Sequence, residues 1–298
     1  MPGEPAVKPD ASKTGSLARL PATDLLAGFR ARRFTPSEVI EEVIAALETT
    51  DALCKVMVTP MFDAARAEAA RATTAWRSGT PPAGTPATKM RSFTVTGTPA
   101  SAPVLDAFVP DVDSAVVTSL RKAGAIITCK TTTCESGYKL TADSPVSGVT
   151  RNPWALDRTS GGSSGGAAAA VAAGCGPLAV GTDGVGSIRV PASFCGVFGI
   201  KPTFGLVPRA PGFFPPSWAT LAHTGPIART VRDAALLLEA IAGHDIRDAA
   251  SLPLAARRFD TKPGSLGGLK IAFTPDFGYA AVSPDVRKSF SAAIDVLK

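Results

Sequence analysis

Histidine is scarce in this sequence, and cysteine pairs with metal-ligand spacing and long apolar runs are absent. The two histidines, His223 and His244, leave a Ser-His-Asp triad few ways to assemble. The five cysteines lie mostly among apolar neighbours, which favours free buried thiols and a reducing compartment. The most apolar window, residues 167–180, is interrupted by glycine and proline and is too short to span a bilayer. These features predict a cytoplasmic protein without a membrane segment.

Basic residues are in modest excess but are nowhere concentrated. Lysine and arginine number 31 against 25 aspartates and glutamates, a formal net charge of +6. Because no stripe or arm gathers this charge, a solvated surface is favoured over a nucleic-acid partner. Residues 1–15 carry few bulky apolar side chains and are predicted to form a disordered arm. With 45% hydrophobic residues overall, residues 16–298 are predicted to form a single domain.

Helix and strand patterns alternate along this predicted domain. Helices are expected over about 16–80, where Thr35, Pro36 and Glu38 form a capping box with proline at the first helical position. The segments "AIITCK", "PLAVGTD", "FGIKPT" and "LKIAFTP" are predicted strands between helices. The alternation predicts an α/β fold, with a mixed, largely parallel sheet covered by helices on both sides. The final helix reaches Lys298 without a terminator, which predicts that a C-terminal part of the fold is missing.

Two serine-glycine segments, "TSGGSSGG" and "DGVGSIR", stand on either side of a predicted helix and strand. The chain runs out along the helix and back along the strand, so Ser163 and Ser187 are expected at the same edge of the sheet. Glycines at 184 and 186 leave backbone N–H groups free to face a developing oxyanion. An exposed serine beside such a loop is a candidate nucleophile. A flexible Gly/Ser linker, the alternative from composition, is disfavoured by this convergence.

These segments, together with "AGAIITCKT", "TRNPW" and "GPIARTVRDAALLL" in the same order, resemble the amidase signature family. The similarity runs from about Val112 to Asp248. It implies hydrolysis or transfer at a carboxamide by a Ser–cis-Ser–Lys triad, without metal or cofactor. By position, Ser187 would be the acylated nucleophile and Ser163 the bridging serine on a cis peptide bond. The backbone N–H groups of residues 184–187, and so of Gly184, Val185 and Gly186, would form the oxyanion hole.

The lysine of the family pattern is displaced in this sequence. Members of the family carry G-x-P-x-x-x-K-D, whereas "GTPATKMRSFTVTG" puts Met90 and Arg91 in the lysine and aspartate slots. Lys89 comes one residue early, and a one-residue slip in a strand sends a side chain to the opposite face unless a bulge re-aims it. Lys89 is the candidate base, since a buried neutral lysine can accept a proton. Lys130 is a less favoured substitute.

Three further features bear on activity. Val185 replaces a glycine that is usual in the family, which constrains the oxyanion loop. Asp183 and Arg189 flank the nucleophile and are predicted to form a structural ion pair that fixes this loop. His244 follows a helix and is expected to cap it rather than to act in catalysis.

The leading prediction is an amidase that forms an acyl-enzyme on Ser187 and acts on a small-molecule amide. Two alternatives stay open: a catalytically impaired amidase-like binding or scaffold protein or fragment, and an amide-transferring subunit of a transamidation complex with partner chains. A phosphate-binding loop is disfavoured because the G-x-x-x-x-G-K-[ST] pattern is absent. The sequence does not identify the amide and leaves open whether the chain forms a homo-oligomer.

Overall fold

The computed structural model describes residues 15–78, 96–97, 111–210, 220–253, 259, 261–262 and 264–297. The predicted N-terminal arm, apart from Gly15, lies outside the described residues, as do Lys89, Met90 and Arg91. The chain divides into two compact units, Met1–Phe259 and Asp260–Lys298. The single domain expected over 16–298 stays a prediction.

The first unit begins with three helices: α1 (Ala22–Arg30), α2 (Pro36–Cys54) and α3 (Phe62–Arg77). The predicted capping box opens α2. The Thr35 hydroxyl accepts the backbone N–H of Glu38, and the Glu38 carboxylate accepts the backbone N–H of Thr35 at 2.7 Å. The apolar stripe of α2 then faces the core through Val39, Ile40, Val43, Ile44 and Leu47.

The rest of the unit alternates helices with short strands. The helices are α4 (Ala115–Ala123), α5 (Gly165–Ala173), α6 (Arg189–Cys195) and α7 (Val231–Ile241). The strands are β1 (Met57–Pro60), β2 (Thr96–Gly97), β3 (Cys129–Thr131), β4 (Asp143–Ser144), β5 (Gly148–Val149), β6 (Arg151–Asn152), β7 (Ala155–Thr159), β8 (Leu178–Asp183), β9 (Phe198–Gly199) and β10 (His223–Ala228). None of the described helices combines the length and apolar composition needed to cross a membrane.

The sheets have mixed strand directions. One has the order β1-β3-β2, with β1 antiparallel and β2 parallel to β3. The other has the order β8-β10-β9, with both pairs antiparallel, and β2 lies beside β8. The α/β class and the mixed sheet are confirmed, but the described pairs are more often antiparallel than predicted. For β8 and β10 the reason is that the chain leaves β8 after Asp183 and enters β10 at His223, the residue paired with Asp183.

Helix α5 lies in the centre of the core and positions the first serine segment. Its residues from Gly165 to Ala172 are all buried, as expected for a helix that is apolar all round. The guanidinium of the half-buried Arg229 donates to the carbonyl oxygens of Val171 (2.9 Å) and Gly176 (2.7 Å), and also to those of Arg19 and Leu20. This side chain therefore fixes the C-terminal end of α5 against the N-terminal segment.

The second unit contains one described helix, α8 (Pro284–Leu297), which follows Ser283 as predicted. The expected strand "LKIAFTP" is not formed: residues 269–275 have no strand pairing in the structure. A strand requires a neighbour with which to share hydrogen bonds. The described residues of this unit do not supply that neighbour, so the local apolar alternation was insufficient.

Candidate active site

The two serine segments meet at one edge of the sheet. The backbone N–H of Ser164 donates to the carbonyl oxygen of Ser187, with N and O 3.1 Å apart. The Gly162–Ser163 peptide bond is cis, which confirms that expectation. Ser163 is 2% exposed and Ser187 4%, so the candidate nucleophile is buried rather than exposed as the sequence had suggested. The predicted convergence of the segments that carry both serines is therefore present.

Ser164 strengthens this junction. Its hydroxyl accepts the backbone N–H of Thr182 at 3.1 Å and lies 3.3 Å from the carbonyl oxygen of the same residue, to which it donates. At 1% exposure, the side chain is a buried clamp between the loop before α5 and the end of β8. Sequence reasoning assigned no role to Ser164, although its place beside Ser163 in the "SS" pair was the available signal.

Asp183 organises the loop that leads to Ser187. Its buried carboxylate accepts backbone N–H groups from Gly186 at 2.7 Å and Ile188 at 3.2 Å. Two guanidinium nitrogens of Arg189 reach the two carboxylate oxygens, each at 2.9 Å. Burial raises the pKa of Asp183, but the hydrogen bonds from Arg189, Gly186 and Ile188 outweigh burial and hold the pKa below its ordinary value. The carboxylate is therefore charged and fully engaged near neutral pH.

This geometry corrects one part of the predicted oxyanion hole. The N–H of Gly186 is committed to Asp183, so this amide is not available to a substrate oxygen. Within the described residues, the N–H groups of Gly184, Val185 and Ser187 have no such acceptor. Gly186 instead serves the shape of the loop, since its φ of +129° is a backbone conformation that favours glycine.

A third segment, which follows β3 and includes Leu140 and Thr141, borders the site. A Cβ atom on Gly162 would collide with the backbone of Thr141, so only glycine permits this approach. Next to Thr141, Leu140 Cδ2 lies 3.8 Å from the position that a Cβ atom on Gly186 would occupy. The segment thus contacts the loops of both serines.

The position of the base is not fixed by these contacts. Lys89 lies outside the described residues, so its part in the triad stays a prediction. Lys130, the less favoured substitute, lies in β3, where its backbone is paired with Thr59 of β1 and Gly97 of β2.

His223 lies at the border of the site, beside the backbone of Asp183, whereas His244 lies in the turn after α7. Nδ1 of His223 contacts the carbonyl oxygen of Leu221 and lies 3.3 Å from that of Asp183. Nδ1 of His244 contacts the Ser251 hydroxyl at 2.8 Å, in the turn after α7 rather than at its end. These contacts agree with a site in which histidine is not the base, although His244 bonds a turn and not the helix.

Comparison with known sequences gives a consistent family. The family model described as Amidase matches residues 38–298. A glutamyl-tRNA(Gln) amidotransferase subunit of Chromohalobacter salexigens is 38% identical over 283 residues, 92% of this chain and 57% of the relative. An acylamidase of Rhodococcus erythropolis is 38% identical over 279 residues, with 90% and 57% coverage. The chain thus spans 57% of the length of these two relatives.

Solved structures show the same fold. A bacterial aryl acylamidase of the amidase signature enzymes superposes with a TM-score of 0.70 at 33% identity, over 79% of this chain and 50% of that chain. A fatty acid amide hydrolase gives a TM-score of 0.85 over 98% of this chain and 54% of that chain. At 23% identity, this second likeness bears on the fold alone.

Proposed function

This chain belongs to the amidase signature family, and we propose that it cleaves a carboxamide C–N bond through an acyl-enzyme on Ser187. The observation that carries the proposal is the 3.1 Å hydrogen bond from the N–H of Ser164 to the carbonyl of Ser187. It holds the segment of Ser163 against the nucleophile loop, inside the core and beside a charged Asp183. Such a junction suits proton transfer between two hydroxyl groups shielded from water.

In the proposed reaction, the Ser187 oxygen attacks the carbonyl carbon of the amide. Its proton passes through the Ser163 hydroxyl to the neutral amine of Lys89. The tetrahedral intermediate then collapses, the C–N bond breaks, and the leaving amine takes the proton back along the same route. Water, activated by the same groups, attacks the acyl-enzyme, which releases the carboxylic acid and restores the Ser187 hydroxyl.

The N–H groups of Gly184, Val185 and Ser187 donate hydrogen bonds to the negatively charged oxygen of the tetrahedral intermediate. Donors already oriented before the reaction stabilise an oxyanion at little reorganisation cost. Asp183 acts as a positioning residue, because it fixes the amides on either side of Ser187 and leaves the remaining ones free. Arg189 holds Asp183 in its charged form.

A fluorophosphonate probe tests this proposal, since it forms a stable adduct only with an activated serine. We expect labelling of the parent protein and none of Ser187→Ala. Ser251→Ala is the matched control, because Ser251 is also buried, at 6% exposure. Equal labelling of the parent and Ser187→Ala would refute the assignment.

Substitutions in the segment of Lys89 distinguish the proposed enzyme from a catalytically impaired scaffold protein. A working Lys89 predicts activity in the parent that is lost in Lys89→Ala and kept in Lys130→Ala. Activity that emerges only in the double variant Met90→Lys, Arg91→Asp would favour the scaffold and contradict the proposed enzyme.

A second candidate function, amide donation within a transamidation complex, is favoured by the relatives that are glutamyl-tRNA(Gln) amidotransferase subunits. In this role, the same acyl-enzyme would release ammonia from an amide donor to a partner chain. The test is glutaminase activity that rises when partner chains of such a complex are added. Activity on simple amides that is unaffected by those chains would favour the free-standing amidase.

A further inference from the structure

Apolar side chains stand exposed beside the candidate nucleophile. Leu140 is 42% exposed and Val185 is 55% exposed, whereas Val190 of α6 is half-buried. Leu140 and Val190 both approach Gly186: their methyl carbons lie 3.8 Å and 3.1 Å from a Cβ position built on this glycine. We call Leu140, Val185 and Val190 the apolar wall. Its place next to Ser187 distinguishes it from scattered surface hydrophobic residues, which need no explanation.

Two cationic side chains next to the apolar wall, those of Lys139 and Arg189, are already paired. Arg189, which directly precedes Val190, forms the ion pair with Asp183 at 2.9 Å. Lys139, which directly precedes Leu140, forms an ion pair with Asp143 at 2.6 Å. These two cations therefore do not offer a free charge to a carboxylate on a substrate, such as the α-carboxylate of glutamine.

We propose that the apolar wall binds the acyl group of the substrate, so that the preferred substrates are amides of aryl or alkyl carboxylic acids. This inference rests on the proposed acyl-enzyme at Ser187. The acyl group stays attached to Ser187 through both half-reactions, while the amine leaves after the first. An apolar surface that borders the loop of the nucleophile is therefore placed to hold the acyl group.

Val185 is the distinctive member of the wall. Its side chain is 55% exposed, and it belongs to the loop whose N–H groups are assigned above to the oxyanion. Burial of apolar surface on binding accelerates the reaction by roughly fourfold for each CH2 group removed from water. Two such groups against the wall would give a preference of about tenfold or more over a methyl substituent.

The test compares methyl and octyl fluorophosphonates of the same leaving group on the full 298-residue chain. We expect the second-order rate constant for Ser187 to be about tenfold or more higher with the octyl probe. The octyl-to-methyl ratio should fall about threefold or more in each of Leu140→Ala and Val185→Ala. Val231→Ala is the matched control, because Val231 is 54% exposed and lies at the start of α7. Its ratio should equal that of the parent.

The outcomes separate this inference from the proposed function. Equal rates with the two probes, or a faster methyl probe, would overturn the acyl-binding assignment and leave Ser187 as the nucleophile. An octyl preference that is unchanged in both wall variants would also overturn it, since the preference would then arise elsewhere. No adduct on Ser187 with either probe would remove the proposed function, and the substrate assignment would fall with it.

Discussion

Replacing the Asp183 carboxylate with an amide should loosen the nucleophile loop. In Asp183→Asn, one of the two oxygens becomes an NH2 group, which donates and cannot accept. One oxygen accepts the N–H of Gly186, and the other accepts that of Ile188. Whichever oxygen is replaced, at least one buried backbone donor loses its acceptor, and the bidentate contact with Arg189 becomes single.

The expected cost follows from these contacts. A buried donor left without a partner costs about 1–3 kcal/mol. Loss of half of the ion pair adds less, because the Arg189 side chain is 53% exposed and water can replace the missing contact. We therefore expect Asp183→Asn to lower the free energy of unfolding by about 2–3 kcal/mol. Labelling of Ser187 should slow as well, because its neighbouring amides lose their fixed positions.

Urea denaturation, followed by tryptophan fluorescence at pH 7, measures this change. The control is Glu41→Gln, which removes an ion pair with Arg66 whose two side chains are about half exposed. Exposed pairs contribute little, so the control should leave the urea midpoint where it is in the parent. A free energy of unfolding for Asp183→Asn within about 0.5 kcal/mol of the parent would refute the reasoning.

The effect also has a predicted pH dependence. The pKa of Asp183 is lower in the folded protein than in the unfolded chain. The carboxylate therefore contributes stability that is fully present above the ordinary pKa of about 4 and is lost as the pH falls through the folded value. The difference in the free energy of unfolding between parent and Asp183→Asn should stay at about 2–3 kcal/mol from pH 6 to 7. It should shrink below about pH 4. A difference that grows in acid would contradict this sign.

The packing of the core leads to three other predictions. Burial raises the pKa of the Cys54 thiol to about 11 and those of Cys129, Cys175 and Cys195 to about 12. At pH 8 these four thiols should react with DTNB about 100-fold or more slowly in native protein than in urea-unfolded protein. Rapid reaction of these thiols in the native protein would contradict their burial. Gly162→Ala should lower the free energy of unfolding by about 1–3 kcal/mol, because the added methyl group would meet the Thr141 backbone. Gly15→Ala is the control: its methyl group would lie in open space, so the variant should melt at the same temperature as the parent. Arg229→Ala should lower the free energy of unfolding by about 3 kcal/mol in urea denaturation, because four carbonyl oxygens lose their donor. Arg30→Ala is the control, because Arg30 is exposed and its loss should not change stability in this way. Equal urea midpoints for the two variants would contradict the role assigned to Arg229.

Local chemistry made several elements predictable. The capping box at Thr35 and Glu38 is built from residues three apart, so it can be read from the local sequence. The convergence of the segments of Ser163 and Ser187 was also accessible, because helix and strand lengths fix where a helix–strand unit begins and ends.

Features that depend on distant partners were not accessible. Strand β10 carries Gly225 and Pro226, which sequence patterns count against a strand, yet it lies between β8 and β9. The commitment of the Gly186 amide to Asp183 depends on loop geometry that residue type does not encode. The strand expected at 269–275 did not form although its local pattern was suitable, because the described residues of its unit offer no neighbouring strand.

The central claim, an acyl-enzyme on Ser187, is tested most directly by mass spectrometry of an acid-quenched reaction with an apolar anilide. Trypsin releases residues 159–189 as one peptide that contains Ser163, Ser164 and Ser187, so fragment ions must locate the modification. We expect a mass increase equal to the acyl group on Ser187, transient in the parent and absent from Ser187→Ala. Acylation of another residue, or turnover of the anilide by Ser187→Ala at the parental rate, would contradict it.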